Sequence, residues 1–341
     1  MKIHAIILHI YALPATILKI YVHEVEVLKI FIDGQAGTTG LKLEERLKTR
    51  QDIHLLEIDP NLRKDPTARQ HLMQQADVIF LCLPDDEARK SAAMAPQNAI
   101  VIDASTAHRV APGWVYGLPE LSKAHRAALA NAKRIAVPGC HAAGFISMIY
   151  PLLEAGLLSR DIRLSCNSLT GYSGGGRRLI ETYEQGRKPG DALQAPRPYA
   201  LGLCHKHLPE MKGVCDLTYP PHFMPVVGDI AQGMLVTVPL WTADFEKTAS
   251  AADVWQILNQ HYHTSRFVKV MPFDITANTD GGFMDITACN NSNRLELFVF
   301  GHETQVLLGA RLDNLGKGAS GAAVQCMNIA CGLDEAFELQ S

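Results

Sequence analysis

Several features that mark common protein classes are missing from this sequence. Its eight cysteines include no C-x-x-C pair, which argues against a zinc ribbon or a thioredoxin-type redox site. Basic residues (32) do not outnumber acidic ones (35), so the chain carries no overall basic footprint for nucleic acid. It contains no fixed-period repeat and no low-complexity segment. These absences leave a globular protein whose 341 residues predict about two domains.

Long hydrophobic runs are also scarce, even at the apolar N-terminus. Histidine, proline and lysine interrupt residues 1–27, and the remaining apolar stretches are too short to span a bilayer. A signal peptide is one interpretation of this segment. An upstream extension ahead of a domain that starts at Leu28 is the simpler one, and we expect deletion of residues 1–26 to leave activity intact. We therefore expect a cytoplasmic protein with no membrane partner, and its cysteine usage fits a reducing compartment.

Short apolar runs alternate with helical patterns over the first part of the chain. The runs cover residues 28–33, 53–58, 77–83, 99–103 and 135–137. Nearly continuous apolar runs of this length are typical of parallel strands that are buried on both faces. Alternation of such strands with helices predicts a doubly wound, Rossmann-type α/β domain.

Strand patterns dominate the second half of the chain. After a helix at about residues 141–155, we predict strands at residues 162–170, 232–239, 283–290, 294–300 and 305–312, with a turn at 290–293. Consecutive strands with short turns predict a mixed or antiparallel sheet. Helices near residues 175–185 and 250–263 are expected to cover one face of it, and the chain returns to a helical pattern from Gly316.

A glycine-rich turn follows the first predicted strand. Gly34, Gly37 and Gly40 are spaced G-x-x-G-x-x-G, and Thr38 and Thr39 open the next helix. Glycine lets the backbone approach a pyrophosphate, and the helix N-terminus offers it free N–H groups and a positive dipole end. The turn therefore predicts dinucleotide binding.

The end of the second strand leaves the choice of dinucleotide open. An acid at this position usually holds the ribose 2′-hydroxyl of NAD, whereas arginine accommodates the 2′-phosphate of NADP. Here Glu57 and Asp59 are followed by Arg63 and Lys64, so the pattern is mixed.

Cys140 is the cysteine whose surroundings indicate a nucleophilic role. It follows a strand and a Pro-Gly turn and begins a helix. A thiol at a helix N-terminus is stabilised as the thiolate, with a pKa lowered from about 8.5 to roughly 3.5–7.5, and the same N–H groups stabilise an oxyanion. Beside a dinucleotide domain, such a nucleophile predicts hydride exchange between a nicotinamide and a cysteine-bound acyl or aldehyde carbon.

Acid–base and anion-binding partners are found in three further segments. The HKHLPE segment holds His205, His207 and Glu210, and its spacing alone does not select one histidine as the acid–base group. Arg109 follows the fourth strand, at the sheet edge where ligands bind, and can hold a carboxylate or phosphate. The glycine run beginning at Ser173, with Arg177 after it, offers backbone amides to a second anion.

Together these segments resemble the N-acetyl-γ-glutamyl-phosphate reductases of arginine biosynthesis, and more closely their shorter type 2 branch. The resemblance covers about Leu28 to the C-terminus and rests on the ordered motifs GQAGTTG, DASTAHR, GLPEL, VPGCHAAG, YSGGGR, HKHLPE and NLGKGASGAA. It implies the fold of glyceraldehyde-3-phosphate and aspartate-semialdehyde dehydrogenases. That fold has a Rossmann domain (residues 28–140 and 314–341) and an α+β catalytic domain (residues 141–313). A homodimer or homotetramer is also implied.

The resemblance further implies a reaction and a set of roles. NADPH would reduce N-acetyl-γ-glutamyl phosphate to N-acetylglutamate 5-semialdehyde and phosphate, through a thioester on Cys140. His207 would be the acid–base residue, oriented by Glu210, and no metal would take part. Residues implied to bind the acyl-phosphate substrate are Arg109, Ser173 and Gly174. Residues implied to bind NADP(H) are Gly34, Gly37, Thr38, Thr39, Gly40, Ser105, Asn314, Lys317 and Gly318.

Other functions stay open on the sequence alone. Another acyl-phosphate reductase, such as an aspartate-semialdehyde dehydrogenase, is the nearest alternative. A glyceraldehyde-3-phosphate enzyme fits less well, because its S-C-T-T-N motif is absent around Cys140. A non-catalytic protein that senses dinucleotides would need no nucleophile.

Overall fold

The architecture was taken from a computed structural model, which describes residues 27–186, 188 and 190–340. The interpretation of residues 1–26 as an extension therefore lies outside the described residues. Within the described part of the chain, no helix is both long enough and apolar enough to cross a membrane.

The first sheet consists of six parallel strands in the order β2-β1-β3-β4-β6-β5. Their bounds are β1 Leu28–Asp33, β2 Ile53–Leu56, β3 Val78–Leu81, β4 Ile100–Asp103, β5 Val115–Tyr116 and β6 Arg134–Ala136. All residues of β3 and β4 are buried, as their apolar runs predict. The predicted doubly wound α/β architecture is confirmed, and the two-residue β5 is too short for a periodic signal.

Helices cover both faces of this sheet. They are α1 Thr38–Leu47, α2 Pro66–Gln75, α3 Asp85–Met94 and α4 Lys123–Ala130. Alternate residues of β1 enter opposite cores, with Ile30 and Ile32 on one face and Phe31 on the other. Local signals set the helix starts: the Asp65 side chain accepts a hydrogen bond from the Ala68 amide at the start of α2.

The second sheet has seven strands in the order β11-β12-β13-β10-β7-β9-β8. Their bounds are β7 Ser165–Gly171, β8 Arg197–Pro198, β9 His222–Gly228, β10 Met234–Trp241, β11 Val268–Val270, β12 Leu295–Gly301 and β13 Gln305–Leu312. The β7–β9 and β11–β12 pairs are parallel and the others are antiparallel, so the predicted mixed sheet is confirmed.

Further helices belong to this half of the chain. They are α5 Cys140–Glu154, α6 Arg177–Gln185, α7 Leu208–Val214, α8 Ala251–Tyr262 and α9 Ile275–Asn278. The long helices α5 and α8 pack on the inner face of the second sheet, against residues such as Val236, Val238 and Leu308. This packing forms the largest apolar core described.

One strand prediction for this region is wrong. Residues 283–290 form an isolated bridge at Phe283 and turns from residue 286 instead of a strand. Phe283 is 81% exposed, and the Asp285 side chain accepts hydrogen bonds from the Thr287 amide and hydroxyl. Such local bonds compete with a strand ladder. Strand β9 was not predicted, because Pro225 interrupts its apolar pattern.

The C-terminal segment returns to the first sheet. A π-helical turn, Gly316–Ser320, leads into α10 Gly321–Ala330. Ala323, Val324 and Met327 share an apolar core with Ile30 and Ile102 of the first sheet. We therefore propose that residues 314–341 complete the first domain, as the resemblance implies.

Candidate active site

A cleft of about 960 Å³ runs from the glycine turn, past the ends of β3 and β4, to the second sheet. Most of the predicted site residues line it: Gly37, Thr38, Thr39, Ser105, Arg109, Cys140, Ser173, Gly174, His207, Asn314 and Gly318. Gly34, Gly40, Glu210 and Lys317 are not among its lining residues. The structure therefore joins segments from both sheets and from both ends of the described chain in one concave site.

The glycine turn is shaped by close backbone contacts. Gly34 has φ +88°, and a Cβ there would lie 2.3 Å from the carbonyl oxygen of Cys82. A Cβ on Gly40 would lie 2.6 Å from the Gly34 oxygen. Helix α1 has no side-chain cap and no acid in its first turn, so Thr38 and Thr39 present uncapped helix-start amides. The Gly37 amide donates to the Gly34 carbonyl at 3.0 Å, which closes the turn. A helix N-terminus without a side-chain cap presents the positive end of the helix dipole, which suits a dinucleotide pyrophosphate.

Residues that follow the second strand do not decide between NAD and NADP. Glu57, Asp59, Arg63 and Lys64 are all exposed, and in the described chain none of them lines the cleft. The mixed sequence signal at this position therefore stays mixed in the structure.

Cys140 is the first residue of α5, as predicted, but its pKa moves in the opposite direction to the prediction. Burial raises the pKa of the Cys140 thiol to about 11, whereas Arg109 and the His141 backbone amide act to lower it. The free-energy cost of removing a thiolate from water here is larger than the stabilisation that the helix N-terminus gives to its charge. The predicted lowering is therefore wrong, and Cys140 is a thiol at neutral pH.

Gly318 lies directly against Cys140. A Cβ on Gly318 would come within 2.6 Å of the Cys140 Cβ, so only glycine leaves the cysteine its place. Gly318 belongs to the π-helical turn that precedes α10. The C-terminal segment thus forms one wall of the site.

Three histidines surround the thiol. Ring centroids lie 5.3 Å apart for His141 and His207, 5.4 Å for His141 and His205, and 4.7 Å for His205 and His207. Burial lowers the pKa of His141 to about 3, that of His205 to about 4 and that of His207 well below its usual value. All three imidazoles are therefore neutral at neutral pH.

The three imidazoles have different partners. His141 Nδ1 lies 2.8 Å from the Ser168 hydroxyl and Nε2 lies 2.9 Å from the Tyr199 hydroxyl. His205 Nδ1 accepts a hydrogen bond from the His207 backbone amide at 3.1 Å. His207 Nδ1 is buried without a hydrogen-bond partner in the described chain. Sequence reasoning gave His141 no role, although its place beside Cys140 was an available signal.

Glu210 does not orient His207 as predicted. One carboxylate oxygen accepts a hydrogen bond from Arg109 Nη1, and the other accepts from the Tyr116 hydroxyl at 2.7 Å and from the Gly139 amide at 3.1 Å. These three donors leave no hydrogen bond between Glu210 and His207 among the described contacts. The prediction is corrected: Glu210 holds Arg109 and the Pro-Gly turn that precedes Cys140.

Arg109 is fixed at the edge of the cleft. Its Nε donates to the Val137 carbonyl at 2.9 Å and its Nη2 to the Ala104 carbonyl at 3.4 Å, in addition to the Glu210 ion pair. The guanidinium is therefore almost buried and pre-oriented before any ligand arrives. A planar cation held in this way suits a carboxylate or a phosphate.

Asp103 organises the loop that carries Ser105 and Arg109. Its fully buried carboxylate accepts hydrogen bonds from the Ser105 amide and hydroxyl, at 2.9 and 2.7 Å, and lies 2.6 Å from His108 Nδ1. His108 in turn stacks on Trp114, with ring centroids 4.0 Å apart. Ser105, predicted to bind cofactor, thus lines the cleft with its hydroxyl already directed to Asp103.

Asn314 and Ser173 link the two halves of the site. Asn314 Nδ2 donates to the Ser173 hydroxyl at 2.9 Å, and its Oδ1 accepts from the Gly233 amide at 3.0 Å. Gly174 follows Ser173 along the same wall. A predicted cofactor residue thus lies beside two predicted substrate residues.

Lys317 is the predicted site residue whose side chain points elsewhere. Its ammonium is fully buried, 2.7 Å from Glu120 Oε1 and 2.5 Å from Gln325 Oε1. A buried cation needs such partners, so its side chain ties the C-terminal segment to the GLPEL segment instead of lining the cleft. The predicted cofactor contact by this side chain is corrected.

Comparisons with known proteins agree on a family. A family model described as "Semialdehyde dehydrogenase, NAD binding domain" matches residues 15–130, and one described as "Semialdehyde dehydrogenase, dimerisation domain" matches residues 140–314. The N-acetyl-gamma-glutamyl-phosphate reductase 2 of Nostoc sp. is 45% identical over 318 residues, covering 91% of this chain and 98% of that protein. The N-acetyl-gamma-glutamyl-phosphate reductase of Chelativorans sp. is 45% identical over 306 residues, covering 88% and 96%.

A solved structure shares the fold at lower identity. The aspartate semialdehyde dehydrogenase II of Vibrio cholerae superposes with a TM-score of 0.66 at 16% identity, covering 89% of this chain and 98% of that one. This likeness confirms the predicted combination of a Rossmann-type domain with an α+β domain of the semialdehyde dehydrogenase type.

Proposed function

The chain belongs to the semialdehyde dehydrogenase family and, within it, to the N-acetyl-γ-glutamyl-phosphate reductases. From this premise we propose that it reduces N-acetyl-γ-glutamyl phosphate to N-acetylglutamate 5-semialdehyde with NADPH, releasing phosphate. One observation carries the assignment to this chain's own residues. A thiol, Cys140, begins a helix beside the neutral imidazole of His207, whose Nδ1 has no hydrogen-bond partner in the described chain, in a cleft that also receives the glycine turn.

Proton transfer from Cys140 to His207 starts the proposed reaction. The thiol is protonated and the imidazole is neutral, so the pair needs no proton from solvent. His207 is the best acceptor because both ring nitrogens of His141 have partners, and His205 Nδ1 accepts from a backbone amide. The resulting thiolate attacks the acyl carbon, phosphate leaves, and a thioester forms on Cys140.

The start of α5 can stabilise the negative charge that develops on the acyl oxygen in this step. Gly139 caps the helix without a side-chain hydrogen bond, so the first amides of α5 remain free to stabilise the oxyanion. Glu210 holds the Gly139 amide, which fixes the turn and aims the helix start.

We assign the cofactor end of the cleft to NADP(H). Gly37, Thr38 and Thr39 would hold the pyrophosphate, and Ser105, Asn314 and Gly318 would line the path towards Cys140. Bound NADPH supplies the hydride that reduces the thioester carbon. His207 then returns its proton to the sulfur as the hemithioacetal collapses to the aldehyde. The choice of NADP over NAD follows family membership, because the exposed residues after β2 do not line the cleft.

The substrate end of the cleft is cationic. Besides Arg109, it is lined by Arg177, Arg178, Arg197 and Lys206. An acyl phosphate that also carries a carboxylate presents anions at both ends, which matches this lining. We assign Arg109, with Ser173 and Gly174, to substrate binding, and Glu210 keeps the guanidinium in place.

We also propose that the protein forms homodimers through the outer face of the second sheet. On this face, opposite α5 and α8, Trp241 and Leu307 lie on neighbouring strands, and Met224 shares the face; each is at least 40% exposed. An open apolar sheet face is a protein interaction surface, and this part of the chain matches the family's dimerisation domain.

Light scattering should give twice the chain mass, and Trp241→Arg should give monomers. A monomeric parent protein would contradict the proposal.

We place this chemistry in the cytoplasm. All eight cysteines are free, and a thiol that must act as a nucleophile persists in a reducing compartment.

The deciding experiment is the reverse reaction. NADPH formation is followed by absorbance with N-acetylglutamate 5-semialdehyde, NADP and phosphate, in the parent protein and in Cys140→Ser. Phosphate-dependent activity that the substitution abolishes is the expected result. The exposed thiol of Cys204 gives a matched control, because Cys204→Ser should leave the rate unchanged. Activity on aspartate semialdehyde alone would reassign the substrate, and no activity on either aldehyde would overturn the proposed function.

A further inference from the structure

Cys140, His141 and His207 form a compact cluster of potential metal ligands. Each residue offers one ligand atom, and these atoms lie within 4.8 Å of one another. Cys140 and His141 are adjacent in the chain, whereas His207 comes from the segment before α7. One sulfur and two imidazole nitrogens are the donor set that Zn²⁺ prefers.

His207 carries an unsatisfied ring nitrogen. His207 is only 4% exposed, and its Nδ1 has no hydrogen-bond partner in the described chain. A buried polar atom without a partner costs free energy, which a ligand at that atom would recover.

His141 is held in the way that metal-binding histidines are held. Its Nδ1 lies 2.8 Å from the hydroxyl of the buried Ser168, which fixes the ring. An outer partner on one ring nitrogen typically orients the other nitrogen towards a metal. That other nitrogen, Nε2, lies 2.9 Å from the hydroxyl of Tyr199, a half-buried residue of the cleft wall. Displacement of this one hydroxyl makes Nε2 available.

The open side of the cluster faces the cleft. All three residues line it, so a cation can enter by the path that substrate would use. Three protein ligands leave one tetrahedral position, which water from the cleft can fill.

We propose that Cys140, His141 and His207 form an inhibitory binding site for Zn²⁺. As the ion binds, the Cys140 thiol releases its proton to solvent, a Zn–S bond forms, and the two imidazoles and one water complete the coordination. The sulfur is then no longer free to attack an acyl carbon. Metal binding itself does not depend on the proposed reaction, and only its inhibitory consequence does.

Binding is tested on the untagged, metal-free, full-length protein with the metal alone. Zn²⁺ is titrated against a chromophoric chelator, and Co²⁺ serves as a spectroscopic probe, because a cysteine thiolate bound to it gives an intense near-ultraviolet charge-transfer band. We expect one equivalent per chain and the thiolate band. Cys140→Ser should abolish the band, and Cys140→Ser and His141→Asn should each weaken Zn²⁺ binding by more than about 100-fold, beyond the 10–100-fold typical of an outer partner.

Three further variants separate this site from incidental binding. Ser168→Ala should weaken Zn²⁺ binding by about 10–100-fold, Tyr199→Phe should strengthen it by removing a competitor, and Cys204→Ser should leave it unchanged. Thermal unfolding without metal checks that each variant folds. Unchanged affinity in both Cys140→Ser and His141→Asn, or a Co²⁺ complex without the thiolate band, would overturn the proposal. Zn²⁺ binding without reductase activity would refute the proposed function alone, and activity insensitive to Zn²⁺ would refute the inhibition alone.

Discussion

Glu210 accepts a hydrogen bond from the backbone amide of Gly139, a residue 71 positions earlier in the chain. The same carboxylate binds Arg109 and the Tyr116 hydroxyl. A single buried acid therefore connects α7 with the turn before the thiol and with the cation at the cleft edge. Its contribution is positional, because it reaches Cys140 only through these neighbours.

Removal of Glu210 should test this positioning role. Glu210→Ala leaves a buried arginine unpaired and should destabilise the protein by about 3–5 kcal/mol. Glu210→Gln keeps an acceptor and the shape, so it should be the milder change and should mainly raise the KM for the acyl phosphate by loosening Arg109. Denaturant unfolding and steady-state kinetics on both variants measure the two effects. Equal stability of Glu210→Ala and the parent protein would contradict the network.

His207 and His205 make a matched pair for identifying the base. His207→Asn should lower kcat by about 10²–10⁴, the usual effect of losing acid–base assistance. His205→Asn should lower kcat much less, since His205 accepts a hydrogen bond from a backbone amide and is less buried. Both variants are assayed at saturating substrate. A greater loss in His205→Asn would show that the base had been assigned to the wrong histidine.

Gly139 should not tolerate a methyl group. A Cβ there would lie 2.4 Å from Arg109 Nη1 and 2.5 Å from His207 Nε2, so Gly139→Ala must displace both groups. We expect at least about a 100-fold loss in kcat/KM, the scale of a roughly 1 Å misplacement, in a protein that still folds. Gly202→Ala is the control, because its new Cβ meets only an ordinary contact at 3.5 Å. Similar rates for the two variants would refute the crowding argument.

The pKa of Cys140 predicts how its alkylation depends on pH. A thiol whose pKa is raised to about 11 is protonated below that pH, so its thiolate fraction should rise about tenfold per pH unit between pH 7 and 10. The rate of inactivation of the ligand-free protein by iodoacetamide should follow this rise without a plateau. Because burial lowers the pKa of His207, protonation of this base should not interrupt the trend near pH 6.5. A plateau above pH 8 would instead indicate a preformed thiolate.

Substitution of Lys317 should show whether its side chain has a structural role or contacts the cofactor. Lys317→Met removes the partner of Glu120, whose carboxylate is buried, and should destabilise the protein by about 3–5 kcal/mol. The KM for NADP in the folded variant should stay within about twofold, because the ammonium does not line the cleft. A large rise in this KM with unchanged stability would restore the cofactor role that the sequence predicted.

Most strands of the first sheet and the motifs could be predicted because their signals are local. The all-apolar β3 and β4 and the strand–glycine–helix order around Gly34 each need only a short window of sequence. The start of α5 at Cys140 follows in the same way from the Pro-Gly turn before it.

Features that depend on distant groups could not be predicted. Glu210 lies three residues after His207 in the chain, yet its partners are donors 71 to 101 residues away. The pKa of Cys140 depends on how much protein covers the thiol, and a sequence window carries no information about that burial. Lys317 illustrates the same limit, since the position of Glu120 decides where its side chain points.

The contact between Gly318 and Cys140 has a consequence for biosynthesis of the protein. The wall of the site at Gly318, the Asn314 bridge to Ser173 and helix α10 all come from chain that follows the last strand of both sheets. A nascent chain that already displays both sheets but not this segment still lacks one side of its reactive cleft. The thiol therefore becomes enclosed only after the segment that follows β13 has been made, and the order of translation separates folding of the two sheets from assembly of the site.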